Sequence, residues 1–217
     1  MKWIAGILGV IVVLTAGAYA VVEMNRPEAA EPSPTTAGTP TPSEVAGSPS
    51  PEIECSASPL VGSHDHEMAA GLPEAVAQMR MDVIDAAIAC DYRRLQQLAL
   101  EGRQGFSYSF GVEDSAAAFW RAREREAREQ RAASSEYLRF LVQTLELPHC
   151  EEESPGGELF FIWPRVHCGA RTAVDWEDIR GLYPDELIDE MRTNDIFYGF
   201  RIGIVSDGDW VYFIAGD

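Results

Sequence analysis

Apolar residues are distributed along this chain in four ways: one long run, a stretch almost without them, helical spacing, and strict alternation. Residues 4–22, IAGILGVIVVLTAGAYAVV, form the uncharged run, and residues 27–53, PEAAEPSPTTAGTPTPSEVAGSPSPEI, offer almost nothing to bury. After Pro73, a residue favoured in the first helical position, Val76, Met79, Val83, Ile84, Ala87 and Ile88 recur at the spacing of a helix. Asp91 is placed to cap a second helix that carries Leu95 and Leu98 and ends at Gly102. In 105–111, GFSYSFG, the residues Phe106, Tyr108 and Phe110 alternate with serines, which predicts a half-buried strand.

Asp114 or Ser115 then caps a long helix whose buried face includes Phe119 and Trp120. The RAREREAREQR segment that follows reads as a solvated face with Glu124–Arg128 and Arg125–Glu129 pairs at i,i+4. Its interleaved glutamates argue against reading the arginines as an anion site. Leu138, Leu141, Val142 and Leu145 mark another helix, stopped before Pro148. An acidic loop from Glu151 to Gly157 leads into a strand from Leu159 to Trp163. Asp175 and Pro184 start two short helices that turn Ile179, Leu187, Ile188 and Met191 inward.

The clearest signal is Ile196 to Asp217, two strands folded back at Asp207-Gly208. A two-residue loop there sets Val205 against Trp210, Gly203 against Tyr212 and Arg201 against Ile214. Tyr198, Phe200, Ile202, Ile204, Val211 and Phe213 then form a continuous apolar face that lies on a core. Cross-strand Tyr212 and Trp210 are placed to cover Gly203. Such apolarity predicts central strands covered on both faces. The order of elements predicts an α+β domain: a curved, mostly antiparallel sheet packed against several helices and closed by a C-terminal β-hairpin.

The uncharged run has about the length that crosses a bilayer, roughly 20 residues at helical rise. Residues 1–26 therefore read as a transmembrane anchor, with Lys2 favouring a cytoplasmic N-terminus. Ala18-Tyr19-Ala20 fits the small-x-small rule, so a signal peptide cleaved after Ala20 is the alternative. Residues 27–53 read as a disordered Pro/Thr/Ser-rich stalk, and 54–217 as an extracytoplasmic domain of the cell envelope. The chain carries 17 basic and 35 acidic residues, a net charge of −18. Lys2 is the single lysine, so the domain lacks Schiff-base chemistry and a lysine phosphate loop. This acidity argues against nucleic acid as a partner. The partners it leaves are the membrane, reached through the N-terminal helix, and a cell-envelope protein or a small molecule.

Four cysteines in an oxidising compartment suggest two disulfides. Cys150 and Cys168 flank the acidic loop and the following strand, which favours a local bridge and leaves Cys55 with Cys90. Pairs His149-Cys150 and His167-Cys168 raise the alternative of a metal site. Adjacent residues rarely both face one metal, however, and CxxC spacing is absent. His64-Asp65-His66-Glu67 offers at most a weak surface site and lacks the second histidine of a protease helix. Asp207-Gly208-Asp209 lacks the remaining ligands of a calcium loop, and GFSYSFG lacks the spacing of a nucleophile elbow. No cofactor is implied. The aromatics Tyr108, Trp120, Trp163, Trp176, Tyr198 and Trp210 either fill the core, the preferred reading, or line a cavity between sheet and helices. The candidate ligand residues of such a cavity are Tyr108, Trp163, His167 and Arg201.

The tail Tyr198-Gly199-Phe200-Arg201-Ile202-Gly203-Ile204, followed by Asp207-Gly208-x-Trp210-x-x-Phe213-x-Ala215-Gly216-Asp217, resembles a group of uncharacterised bacterial membrane-anchored envelope proteins. That resemblance covers roughly Pro73 onward and implies an anchor or signal, a linker and one globular domain; it supplies no catalytic residues. More loosely, two helices including AIACDYRRLQQLA, followed by a strand, are similar to the opening of nuclear-transport-factor-2-like cone folds. Those folds host both enzymes and binding modules. The expectation is a membrane-tethered, non-enzymatic binding or interaction module. A cone-fold small-molecule binder or enzyme, with a pocket between sheet and helices, is the alternative; a bare assembly or spacer element is a third.

Overall fold

A computed structural model describes residues 54–63, 71–102, 105–108, 115–130, 136–169 and 171–216. The expected anchor and stalk, the His64–Glu67 cluster, Phe110 and Asp114 lie outside the described residues. Described residues form six α-helices and four strands. The helices are α1 (Glu74–Ile88), α2 (Tyr92–Glu101), α3 (Ala116–Gln130), α4 (Tyr137–Leu145), α5 (Ala173–Asp178) and α6 (Asp185–Asn194). The strands are β1 (Cys150–Glu153), β2 (Leu159–Trp163), β3 (Arg201–Val205) and β4 (Trp210–Ile214). They make one antiparallel sheet in the order β1-β2-β3-β4, and the α+β reading holds.

Chain punctuation follows the residues that cause it. Asp91 accepts the Arg94 N–H at 2.9 Å to cap α2, and Ser115 Oγ accepts the Ala118 N–H at the start of α3. Asp175, expected to start α5, instead sits inside its first turn. There it forms a capping box with the N-cap residue Thr172.

The C-terminal hairpin follows the expected register at its open end, where Arg201 faces Ile214 and Gly203 faces Tyr212. At the tip it differs. The Gly208 N–H donates to the Val205 carbonyl and the Val205 N–H to the Asp209 carbonyl, so the loop has three residues, Ser206-Asp207-Gly208. Gly208 supplies the positive φ (+94°) that such a loop demands, and a Cβ there would come within 2.9 Å of the Ala75 carbonyl oxygen. A β-bulge between Gly203 and Ile204 absorbs the extra residue, and Trp210 now pairs with Ile204. Trp210 is thereby turned from the expected outer side into the core, where it is fully buried and stacks on Trp120 at 5.7 Å. Tyr212 alone covers Gly203, so closely that an added Cβ would overlap its ring.

Pairing and alternation assign the two faces of the sheet. Phe161, Trp163, Ile202, Ile204, Trp210 and Phe213 share one face, buried under helices; α1 and α4 contact β3, and α2 contacts β4. Ile162, Arg201, Gly203 and Tyr212 lie on the other. The expected acidic loop is in part strand β1, an edge strand whose Glu151, Glu152 and Glu153 are all exposed. Charges along an exposed edge discourage pairing with a foreign strand, which explains why a strand can read as a loop. The expected strand at 105–111 shows, among its described residues, a single parallel bridge from Ser107 to Tyr212. Phe106 and Tyr108 turn inward and Ser107 outward, as alternation requires.

Helix ends are held by side chains from neighbouring helices. Arg80 on α1 is buried and donates through Nε to the Leu145 carbonyl at 2.8 Å, placing a cation at the C-terminus of α4. Burial lowers its guanidinium pKa, an effect the charge of Glu146 opposes. Gln96 on α2 accepts the Ala117 N–H at the start of α3. Two disulfides join Cys55 to Cys90 and Cys150 to Cys168, the pairing favoured above. The first fastens the segment before α1 to the residue after it, and the second fastens β1 to the turn that follows β2.

Candidate functional site

The structure separates the four ligand candidates. Tyr108 packs against Phe106 and Phe119 near α3. Trp163 is 1 % exposed on the helix-covered face of β2, with His149 beside it at 5.3 Å. Arg201 belongs to the opposite face of β3, and its guanidinium donates to the Gly216 carbonyl. His167 lies in the short 3-10 turn Arg165–His167, edge-on to Phe197. Only His167 and Arg201 share an environment. Each keeps one buried nitrogen, Nδ1 and Nε respectively, without a hydrogen-bond partner. Burial, then the charges of Arg201 and Arg171, lower the His167 pKa to about 4, so the imidazole is neutral at neutral pH. Among the described residues no carboxylate hydrogen-bonds the ring to orient it as a general base.

Three concavities are lined by other described residues. One, of about 440 Å³, lies over the second disulfide and is lined by Cys150, Arg165, Cys168, Thr172 and Asp175. Its polar groups are already engaged. Arg165 binds Asp175 at 2.5 Å and Asp178 at 2.8 Å, and Thr172 donates to Asp175 through both its N–H and its hydroxyl. Burial pushes the Asp175 carboxyl pKa up, but hydrogen bonds from Thr172 and Arg165 outweigh it and hold the group below its ordinary value. This is a structural lock around α5.

The other two concavities adjoin along α3 and share Arg128. The first, about 380 Å³, is lined by Glu54, Ser56, Glu124, Arg128 and Glu136 among others. The second, about 320 Å³, is lined by Tyr92, Arg121, Arg125 and Arg128. Arg121, Glu124, Arg125 and Arg128 stand at i, i+3, i+4 and i+7, so one helix face projects them all. Chain similarity assigns no role to this face. No family model, curated protein or solved structure matches this chain. Function is therefore read from the side chains themselves.

Glu124, expected on the solvated face, is 1 % exposed. Its Oε1 accepts from the Ser56 hydroxyl at 2.6 Å and the Leu138 N–H at 2.9 Å; its Oε2 accepts from the Ser56 N–H at 2.8 Å. Ser56 Oγ in turn accepts the Arg139 N–H. Two first-turn amides of α4 are thus capped from α3 and from the Cys55 segment, a task the N-cap residue Glu136 leaves undone. The expected Glu124–Arg128 and Arg125–Glu129 pairs do not form. On α3 the ion pair present is Arg123–Glu126, at 2.7 Å.

The arginines are freed by this arrangement. Arg121 places its guanidinium carbon 4.9 Å from the centroid of the Tyr92 ring. Burial and the nearby Glu124 push the Tyr92 hydroxyl up to about 12, against the opposing charges of Arg128 and Arg121. Arg128 donates to the Glu54 carbonyl at 2.7 Å. The reading of this helix as a plain solvated surface overlooked Glu124 and the arginine face together. A usable signal was present: Ala117, Trp120, Glu124 and Ala127 repeat at three, four and three residues, which puts Glu124 in the buried stripe.

Proposed function

We propose that this protein is a membrane-tethered extracytoplasmic binding module, non-enzymatic, that acts from its outer surface. The observation that carries this reading is the pair of disulfides, Cys55–Cys90 and Cys150–Cys168, which account for all four cysteines. Such usage suggests an oxidising, extracytoplasmic compartment. The uncharged run 4–22 and the Pro/Thr/Ser-rich 27–53 supply a tether and a spacer. The space between helices and sheet is occupied by Trp120, Trp163, Trp210, Phe161 and Phe213, all below 2 % or at most 2 % exposed. That filling supports recognition at the surface rather than in an interior pocket. Among the described residues no helix is long and apolar enough to cross a membrane; the run 4–22 lies outside them.

The tail motif around Gly203 and Trp210 supports membership of the anchored envelope group it resembles. Two helices ahead of the Ser107 bridge, with a single antiparallel sheet behind them, are the observation that favours an NTF2-like cone as the second reading. In that reading His167 and Arg201, with their unpartnered nitrogens, supply the polar end of a ligand site.

Cell fractionation of the full chain with a C-terminal tag tests the tether. The expected result is a protein that sediments with membranes, resists alkaline extraction, and is released as a soluble domain when a protease cuts within 27–53. Recovery of uncleaved chain in the soluble fraction defeats the tether.

A further inference from the structure

The α3 groove gathers positive charge that no described residue neutralises. Arg121, Arg125 and Arg128 are all exposed, and none pairs with a carboxylate among the described residues. Exposed Arg93 and Arg192 also pair with no carboxylate among the described residues, and what sets these three apart is that one helix face and one concavity gather them. Arg94, Arg123, Arg139, Arg165, Arg171 and Arg180 all have acidic partners. Four nearby acids are committed elsewhere, Glu126 to Arg123, Glu136 to Arg139, Glu101 to Arg94, and Glu124 to Ser56 and Leu138, while exposed Glu129 pairs with none of the three arginines. The locked position of Glu124 keeps a carboxylate in the middle of the arginine face from reaching outward. Tyr92 floors the groove and orients Arg121 over its ring.

We propose that this groove binds a small ligand bearing a diphosphate group. The proposal rests on the surface-binding reading above and names what that surface takes. Guanidinium forks match phosphate oxygens in two-point contacts, and a diphosphate presents enough of them for several arginines at once. Helical rise sets Arg121 and Arg125 roughly 6 Å apart along the axis and Arg125 and Arg128 about 4.5 Å apart, a span long side chains close around one compact ligand. A single carboxylate is a poor occupant, because Glu129, one turn from Arg125, fails to hold it. A long polyanion is a poor occupant too: beyond the groove it meets the surface of a chain whose net charge is −18. The volume, about 320 Å³, suits a small headgroup. The same diphosphate chemistry is carried by soluble esters and by lipid headgroups.

Calorimetric titration of the full chain in detergent with inorganic pyrophosphate tests this. The expected result is saturable binding at one site that weakens with added salt and is not reproduced by acetate at matched ionic strength. Arg121→Gln with Arg125→Gln is expected to weaken it by at least about tenfold, the loss of one to two charged hydrogen bonds. Among the described residues neither side chain makes a hydrogen bond, and unchanged circular dichroism and melting check that the fold is intact. Arg123→Gln removes the same charge from the same helix outside the groove and is expected to change affinity by less than about twofold. Vesicles of phosphatidylcholine with and without diacylglycerol pyrophosphate separate the sources: co-sedimentation that requires the diphosphate lipid and Arg121 and Arg125 points to a headgroup, and its absence alongside pyrophosphate binding points to a soluble ester. Absent pyrophosphate binding, equal response to acetate, or an Arg123→Gln effect as large as the double variant's overturns the proposal. Those outcomes leave the tether test untouched, so the two readings fail separately.

Discussion

Glu124→Ala is expected to destabilise the domain by about 3–5 kcal/mol, the largest effect of any single polar substitution considered. The carboxylate is the shared acceptor for the Ser56 hydroxyl, the Ser56 N–H and the Leu138 N–H, and it is fully buried. Truncation leaves these donors without their acceptor and enlarges the concavity that Glu124 lines with Cys55 and Ala127. It also uncaps α4, whose first-turn amides depend on Glu124 and Ser56. Glu124→Gln keeps the volume and one acceptor but presents an amide to donors, so it is expected to cost less, about 1–3 kcal/mol. Urea unfolding followed by tryptophan fluorescence reads both. A loss below about 1 kcal/mol for the alanine variant would place Glu124 in solvent and contradict the structure.

The second large effect is a loss of stability in mild acid that belongs to His167. The folded-state pKa is about 4, against an ordinary value of 6.5, because of burial and the charges of Arg201 and Arg171. Above pH 6.5 both folded and unfolded imidazoles are neutral and the group contributes nothing to pH dependence. As pH falls from 6.5 towards 4 the unfolded chain takes up the proton while the folded domain refuses it, so stability drops, by less than the roughly 3 kcal/mol of the full shift because solvent screens a part-buried ring. Below pH 4 the folded form protonates as well and the slope ends. His149 is lowered in the same direction by burial and adds to the same window. His167→Gln isolates the term: its stability is expected to be markedly flatter between pH 6.5 and 4 than that of the unaltered chain. Parallel pH profiles for the two would mean that His167 is solvated in the folded domain.

Much of the fold is written in local patterns. Alternation in 201–205 and 210–214, with Asp-Gly between them, marks the hairpin, because turn chemistry and side-chain direction act within a few residues. Thr144 and Arg80 show where that legibility ends. Both are buried polar residues on otherwise apolar helix faces, and Arg80 is placed by its bond to the Leu145 carbonyl, far away in sequence. The position of Trp210 depends on a bulge that compensates a loop one residue longer than the simplest one, and no local signal separates those two solutions. Strand β1 hides behind three glutamates because an edge needs charge more than it needs apolar residues. The disulfide pairing was readable from the flanking elements.

The candidate site was less readable than the fold. Tyr108, Trp163, His167 and Arg201 are chemically suggestive residues, yet alternation along β2 and β3 puts Trp163 and Arg201 on opposite faces once their pairing is known. The α3 groove was hidden for the opposite reason. Interleaved glutamates look like partners for the arginines at i,i+4, and only the tertiary engagement of Glu124 by Ser56 and Leu138 shows that they are not.

Two disulfides suggest that this domain works in an oxidising space outside the cytoplasm, and the redox state of its cysteines in growing cells decides the matter. Cells are quenched in acid, the full chain is denatured without reductant, and thiols are alkylated and counted by mass. The expected result is no alkylation until a reductant is added, then modification at all four cysteines, with peptides linked as Cys55–Cys90 and Cys150–Cys168 beforehand. Four alkylated cysteines without reductant would place the protein in a reducing compartment and defeat the extracytoplasmic reading.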